Sequence, residues 1–244
     1  MKKLVVSDFD GTLLPYGQKT VSTKTISYIN KLISDGVVFA VASGRTYSEL
    51  KALLNGVIGE MYYICDDGAV TVYNDKGIFR KPFSNSSLKA FFDDSIFKNA
   101  VLYSLDKAYF LGDNCIFPTF GKTPQKIKRL FEIDSDVYKV SATVRSFELV
   151  NTNLYRVHYA EGYFAEFVTP YANKGVAVAD LQLKLGITKF DTFVVGDAGN
   201  DVPMVQHACY SWAVGDKSSE LMLKSKNVVS AVDEALEDII NILK

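Results

Sequence analysis

Short apolar runs that end in acidic or glycine-bearing loops punctuate both ends of the chain. Leu4-Val5-Val6-Ser7 reads as a buried strand, and so does Val37-Val38-Phe39-Ala40-Val41-Ala42. Unbroken apolar runs of this length suit a sheet covered on both faces. Between them Ile26, Ile29, Leu32 and Ile33 recur at helical spacing within 21–34, and Gly36 stops that helix. A helix over 46–54 and a short strand over 62–65 complete a βαβαβ series. That alternation predicts a parallel, doubly wound sheet of the Rossmann-like α/β kind. Asn74-Asp75-Lys76-Gly77 marks a tight turn between strands at 69–73 and 78–80.

The texture changes over 81–160. Helical stretches at 87–98 and 123–131 alternate with aromatic-rich strand candidates at 100–104, 108–111, 137–142 and 154–160. Such runs predict a smaller α+β domain with an antiparallel sheet, inserted into the first. The core domain then comprises 1–80 and 161–244. Its second part resumes the βα alternation: helices at 175–185, 202–207 and 231–243, and strands at 191–195, 209–214 and 227–229.

Composition excludes more than it assigns. Of 244 residues, 48% are hydrophobic and 23% charged, and the net charge is -1. No basic field argues for nucleic acid or an anionic membrane. No apolar run approaches the ~20 residues of a membrane span, and the apolar part of Met1–Val6 is too short for a signal-peptide core. Cys65, Cys115 and Cys209 are scattered, without metal-ligand or disulfide spacing, so each thiol reads as small apolar filler in a reduced, cytoplasmic setting. The expected assembly is a monomer or weak homodimer.

Four constellations sit where strands open into loops. The first is Asp8-Phe9-Asp10-Gly11-Thr12. Ligands of open α/β sheets bind beyond the carboxyl ends of the strands. A carboxylate there can attack phosphorus and form an acyl phosphate, while a second moves the proton. The second is Ser43-Gly44-Arg45, which offers a hydroxyl, a close backbone N–H and a following helix N-terminus to an anion. The same residues could serve only as a serine cap and a turn. The third is Lys174, at the start of a predicted helix, where the macrodipole disfavours a cation unless an anion lies nearby. The fourth is Gly196-Asp197-Ala198-Gly199-Asn200-Asp201. Asp197 and Asp201 would join Asp8 and Asp10 in one crevice, and four mutually repelling carboxylates need a cation. An all-oxygen donor set suits Mg²⁺.

With these residues the chain resembles the haloacid dehalogenase (HAD) superfamily, and within it the Cof-type phosphatases of subclass IIB with a C2-type cap. The resemblance spans essentially the whole chain. It implies Mg²⁺-dependent hydrolysis of a small phosphomonoester, such as a sugar phosphate, through an aspartyl phosphate. Asp8 would be the nucleophile and Asp10 the general acid/base, with its main-chain carbonyl on the metal. Phe9, Ser43, Gly44, Arg45, Lys174 and Asn200 would border the phosphate, Arg45 facing phosphate or cap. Asp197 would ligate Mg²⁺ and Asp201 would orient the metal shell. One departure is visible: Asp67 in Asp66-Asp67-Gly68-Ala69 stands where the branch usually has asparagine. A phosphosugar mutase, or a module that binds phosphate without turnover, are the alternatives.

The inserted domain is rich in tyrosine: Tyr103, Tyr109, Tyr138, Tyr155, Tyr159 and Tyr163. They read as cap core rather than as a sugar-stacking platform. Strand alternation sets Arg156 and His158 on the face opposite Tyr155 and Tyr159. His158 reads as a satisfied or exposed strand histidine, and His207 as a helix-end residue.

Overall fold

The computed structural model describes residues 2–92, 97–119, 122–145 and 153–244, with backbone alone at 159 and 160. The first segment lays down β1 (Leu4–Asp8), α1 (Thr23–Ser34), β2 (Val38–Ala42), α2 (Tyr47–Leu53) and β3 (Tyr62–Cys65). All three strands are parallel and almost wholly buried. An antiparallel hairpin, β4 (Val70–Tyr73) and β5 (Lys76–Arg80), follows. Its turn residues Asn74 and Asp75 have φ of 48° and 59°. Those left-handed values are what a two-residue hairpin turn demands and what Asn and Asp tolerate.

The inserted domain runs through α3 (Asn85–Ala90), β6 (Phe97–Tyr103), β7 (Ala108–Leu111), β8 (Pro124–Lys126), β9 (Lys139–Val144), β10 (Arg156–Glu161) and β11 (Phe164–Val168). These strands form one sheet in the order β10-β11-β9-β6-β7-β8, antiparallel except for β7 and β8. The insertion therefore reaches past the expected boundary at 160, because β11 pairs with both β10 and β9. Two helix expectations fail here. Residues 123–131 hold the short β8 and a single turn at Leu130–Glu132. The stretch 87–98 is helical only to Ala90, 93–96 lie outside the described residues, and Phe97 already opens β6.

The chain returns through α4 (Lys174–Leu185), β12 (Thr192–Gly196), α5 (Val202–Val205), β13 (Tyr210–Val214), α6 (Ser219–Lys224), β14 (Asn227–Val229) and α7 (Val232–Leu243). The core sheet has the order β14-β13-β12-β1-β2-β3-β4-β5. One face packs Val5, Ile29, Leu32, Phe39, Leu236 and Ile239 beneath α1 and α7. The other packs Leu4, Val6, Ile64, Val178, Leu181 and Val194 beneath α4, α5 and α6. The strand order reverses at β1, whose neighbours are β2 on one side and β12 on the other. That switch point opens a crevice at the carboxyl ends of β1 and β12.

The inserted domain has its own core. Phe83, Phe97, Tyr155 and Phe167 surround Phe91, with ring centroids 4.7–5.9 Å from it. Tyr109 and Tyr155 are buried in this core, as expected; Tyr103 is buried in a small cluster with Val101 and Ala108, Tyr138 packs instead against the core of the other domain, and Tyr163 is exposed. The Tyr159 side chain lies outside the described residues. Replacing Phe91 by Ala removes the ring at the centre of this cluster and should cost about 3–5 kcal/mol. Trp212, the only tryptophan, is buried in the other domain and reports on it alone. In Phe91→Ala, the near-ultraviolet tyrosine dichroism of the full chain should melt at lower urea than Trp212 fluorescence does.

Candidate active site

The crevice measures about 570 Å³ and its wall is nearly all charged or polar. At its floor lies Asp8, the last residue of β1, 4% exposed. The Lys174 ammonium donates to Asp8 Oδ1 at 2.6 Å and to Asp201 Oδ1 at 2.8 Å. Lys174 opens α4, whose end is capped by Asn173 Oδ1 accepting from the Val176 N–H at 3.1 Å. A cation is unfavourable at that end of a helix, and here two carboxylates offset the penalty. Burial disfavours the charged lysine, but Asp201, Asp8 and Asp67 together hold its pKa above the ordinary value. Burial, reinforced by Asp201, pushes the Asp8 carboxyl well up, against the pull of Lys174.

Asp201 is committed to building. Its Oδ2 accepts from the Asp197 and Ala198 N–H groups at 3.0 and 3.1 Å. The carboxyl group lies so close over Gly196 that a Cβ there would stand 2.7 Å from Asp201 Cγ, so only glycine fits. Asp197 is thereby turned into the crevice. Asp8, Asp197 and Asp201 each place one carboxylate oxygen within 4.8 Å of the others. Asp8 Oδ2 is buried and has no hydrogen-bond partner among the described residues. An orphaned carboxylate oxygen in an all-oxygen, anion-rich cluster fits a hard divalent cation.

Several expected site residues stand outside that cluster. The Asp10 carboxylate is not part of that cluster: Arg45 Nε and Nη2 donate to it at 2.8–3.0 Å, and Ser43 Oγ at 3.2 Å. The Asp10 main-chain carbonyl does point to the cluster, because the Tyr16 hydroxyl donates to it at 3.2 Å and to Asp197 Oδ2 at 2.9 Å. Arg45 was expected to face phosphate or cap. It lines the crevice, where its guanidinium clasps Asp10 and reaches Glu49 at 3.3 Å, 5.6 Å from the centroid of the Phe9 ring. That ring is fully buried, so Phe9 can meet a ligand only through its backbone. Ser43, Gly44 and Asn200 line the crevice, Asn200 at its exposed mouth.

His158 extends the sequence reading most. It is a satisfied strand histidine, but one whose partner the sequence did not disclose: it lines the crevice from the cap and bonds Asp67 across the domain junction at 2.6 Å. Arg156 Nη2 joins the same Asp67 oxygen at 3.1 Å. Lys139 of β9, 4% exposed, pairs with Glu166 of β11 at 2.7 Å and donates to the Gly44 carbonyl at 3.3 Å. Tyr16, Glu49, Lys139, Glu166 and Lys217 all border the crevice and were missed. Lys217 alone carried a usable signal, lying in a Gly-Asp-Lys loop just beyond a predicted strand end. His207, by contrast, follows α5 as expected, its N–H donating to the Met204 carbonyl at 3.0 Å and its carbonyl accepting from Gln182 Nε2 at 2.7 Å.

The chain matches the haloacid dehalogenase-like hydrolase family over residues 5–239. A phosphoglycolate phosphatase from Thermoplasma volcanium is 30% identical over 209 residues, 84% of this chain and 82% of that one. A 5-amino-6-(5-phospho-D-ribitylamino)uracil phosphatase from Escherichia coli is 21% identical, over 92% of this chain and 89% of its own. The solved HAD subclass IIB sugar phosphatase BT4131 superposes with a TM-score of 0.73 at 17% identity, covering 98% of each chain.

Behind the crevice, Asp66 is buried and burial pushes its carboxyl up to about 8, against the pull of Lys139 and Lys122. The folded protein therefore keeps a proton there that the unfolded chain loses in the ordinary carboxylate range. Stability attributable to this group falls as pH rises from about 4 through about 8. Asp66→Asn should flatten the decline over that window, measured as urea midpoints from pH 5 to 9.

Proposed function

The chain belongs to the haloacid dehalogenase-like hydrolase family and is a phosphatase, and on that premise we propose that it hydrolyses small phosphomonoesters with Asp8 as nucleophile and with Mg²⁺. The observation that carries the reading is the state of Asp8: one oxygen fixed by Lys174, the other buried without a partner at the crevice floor. Asp8 attacks phosphorus, the bond to the leaving oxygen breaks, and Asp10 supplies the proton that oxygen needs. Asp10 then takes a proton from water, whose oxygen attacks the aspartyl phosphate and releases orthophosphate and free Asp8. Arg45 and Ser43 hold the Asp10 carboxylate at the crevice wall. Lys174 balances charge on Asp8 as the phosphoryl group passes.

Asp8, Asp197 and the Asp10 carbonyl would hold Mg²⁺, with Asp201 behind them. Bound there, the ion would neutralise charge on the phosphoryl oxygens. Ser43, the Gly44 backbone and Asn200 border the space left for phosphate. The polar crevice wall suits a hydrophilic leaving group, sugar phosphates among them. The names of the two relatives, acting on phosphoglycolate and on a phosphoribitylamino compound, point the same way.

Asp8→Asn should fold normally and lose at least about 1,000-fold in kcat, read as phosphate released from p-nitrophenyl phosphate. Chelation of divalent metal should abolish release by the wild-type chain, and added Mg²⁺ should restore it. Release must proceed without a sugar bisphosphate activator; a requirement for one would place the chain among mutases instead.

A further inference from the structure

The cap sends one imidazole into the catalytic crevice, and the strand that carries it is built irregularly to do so. In the ladder between β10 and β11, Val157 faces Phe167 and Tyr159 faces Glu166, so His158 is the extra residue of a bulge. Bulges of this kind re-aim a side chain. His158 Nδ1 meets Asp67 Oδ2 at 2.6 Å, and its ring lies so close over Gly44 that any Cβ at that position would collide with it. Nε2 has no hydrogen-bond partner among the described residues.

Asp67 is itself held in an unusual conformation. It is 3% exposed with φ +57°, directly after Asp66 with φ +50°. Two consecutive non-glycine residues in the left-handed region store strain of the sort found at functional positions. Burial opposes charge on Asp67, but the hydrogen bond and charge of His158, with Lys174 and Arg156, keep its carboxyl well below the usual range. An ionised carboxylate only accepts, so His158 Nδ1 must carry the hydrogen between them. The imidazole is then fixed in orientation, with Nε2 the nitrogen left to a ligand.

We propose that His158, with both ring nitrogens protonated, is a cap-borne ligand of the substrate's phosphoryl group, donating from Nε2 over Gly44, and that Asp67 is the residue that positions it. The proposal rests on the phosphatase reading. Its ring completes, from the opposite domain, a phosphate cradle whose floor is Ser43 and the Gly44 backbone. An asparagine at 67 could bond the imidazole but could not oppose its charge. The aspartate thus makes phosphate binding and cap seating one event.

The test uses the full chain with p-nitrophenyl phosphate as substrate and orthophosphate as competitive inhibitor. His158→Ala should raise both KM and the orthophosphate inhibition constant about tenfold or more, the range of a charge-assisted hydrogen bond, with a smaller change in kcat. His158→Gln, which keeps a donor and most of the volume, should recover part of that loss. Asp67→Asn should shift both constants in the same direction by less, and Asp67→Asn/His158→Ala should be no worse than His158→Ala alone. Unchanged orthophosphate inhibition in both His158 variants would overturn the phosphate contact. Additive losses in the double variant would overturn the positioning role of Asp67. If the wild-type chain released no phosphate at all, the phosphatase reading would fall. Calorimetric titration of orthophosphate into wild type and His158→Ala would still decide this proposal, equal affinities overturning it.

Discussion

One buried ammonium organises this molecule. Lys174 is 2% exposed and lies between Asp8 and Asp201, carboxylates that arrive from opposite ends of the sequence. Removing its charge would leave both acids buried and unbalanced, the most destabilising way to break such a cluster. The same contact fixes the start of α4 against the ends of β1 and β12. The helix register, the strand-end geometry and the pose of the nucleophile are thus set by a single nitrogen.

The topology makes this possible at little expense. Parallel β1 and β12 lie side by side where the strand order reverses, so Asp8 and Asp197 emerge at the same edge. Both strands are wholly buried, and neither carries a charge before Asp8 at the end of β1. The acids therefore cluster in the one place where backbone and solvent can help to solvate them.

That part of the design was readable from residues alone, because it is local: an apolar run, then glycine and acids, repeated. The hairpin was readable for the same reason, from Asn74 and Asp75. The inserted domain resisted reading where structure depends on partners far along the chain. Residues 123–131 have helical spacing, yet Pro124–Lys126 is drawn into an edge strand beside β7 and Ile127 into the cap core. Strand alternation set Arg156 and His158 together opposite Tyr155, and both do reach Asp67 while Tyr155 is buried in the cap core. No periodicity could reveal the bulge at His158, or that Arg45 would turn onto Asp10. The bulge is set by pairing within the cap sheet and the Arg45–Asp10 pair by two neighbouring strand ends of the core, and neither leaves a repeat in the residues.

The short loop after β3 links these levels. Gly68 presses so closely on the Asn173 backbone that a Cβ would stand 2.5 Å from its carbonyl oxygen. The loop holding Asp67 is therefore braced on the N-cap of α4 and cannot follow the cap when it lifts. Parting the domains would take Arg156 and His158 away from the Asp67 carboxylate. A buried acid of one domain is thus matched by basic side chains of the other, a latch between the two.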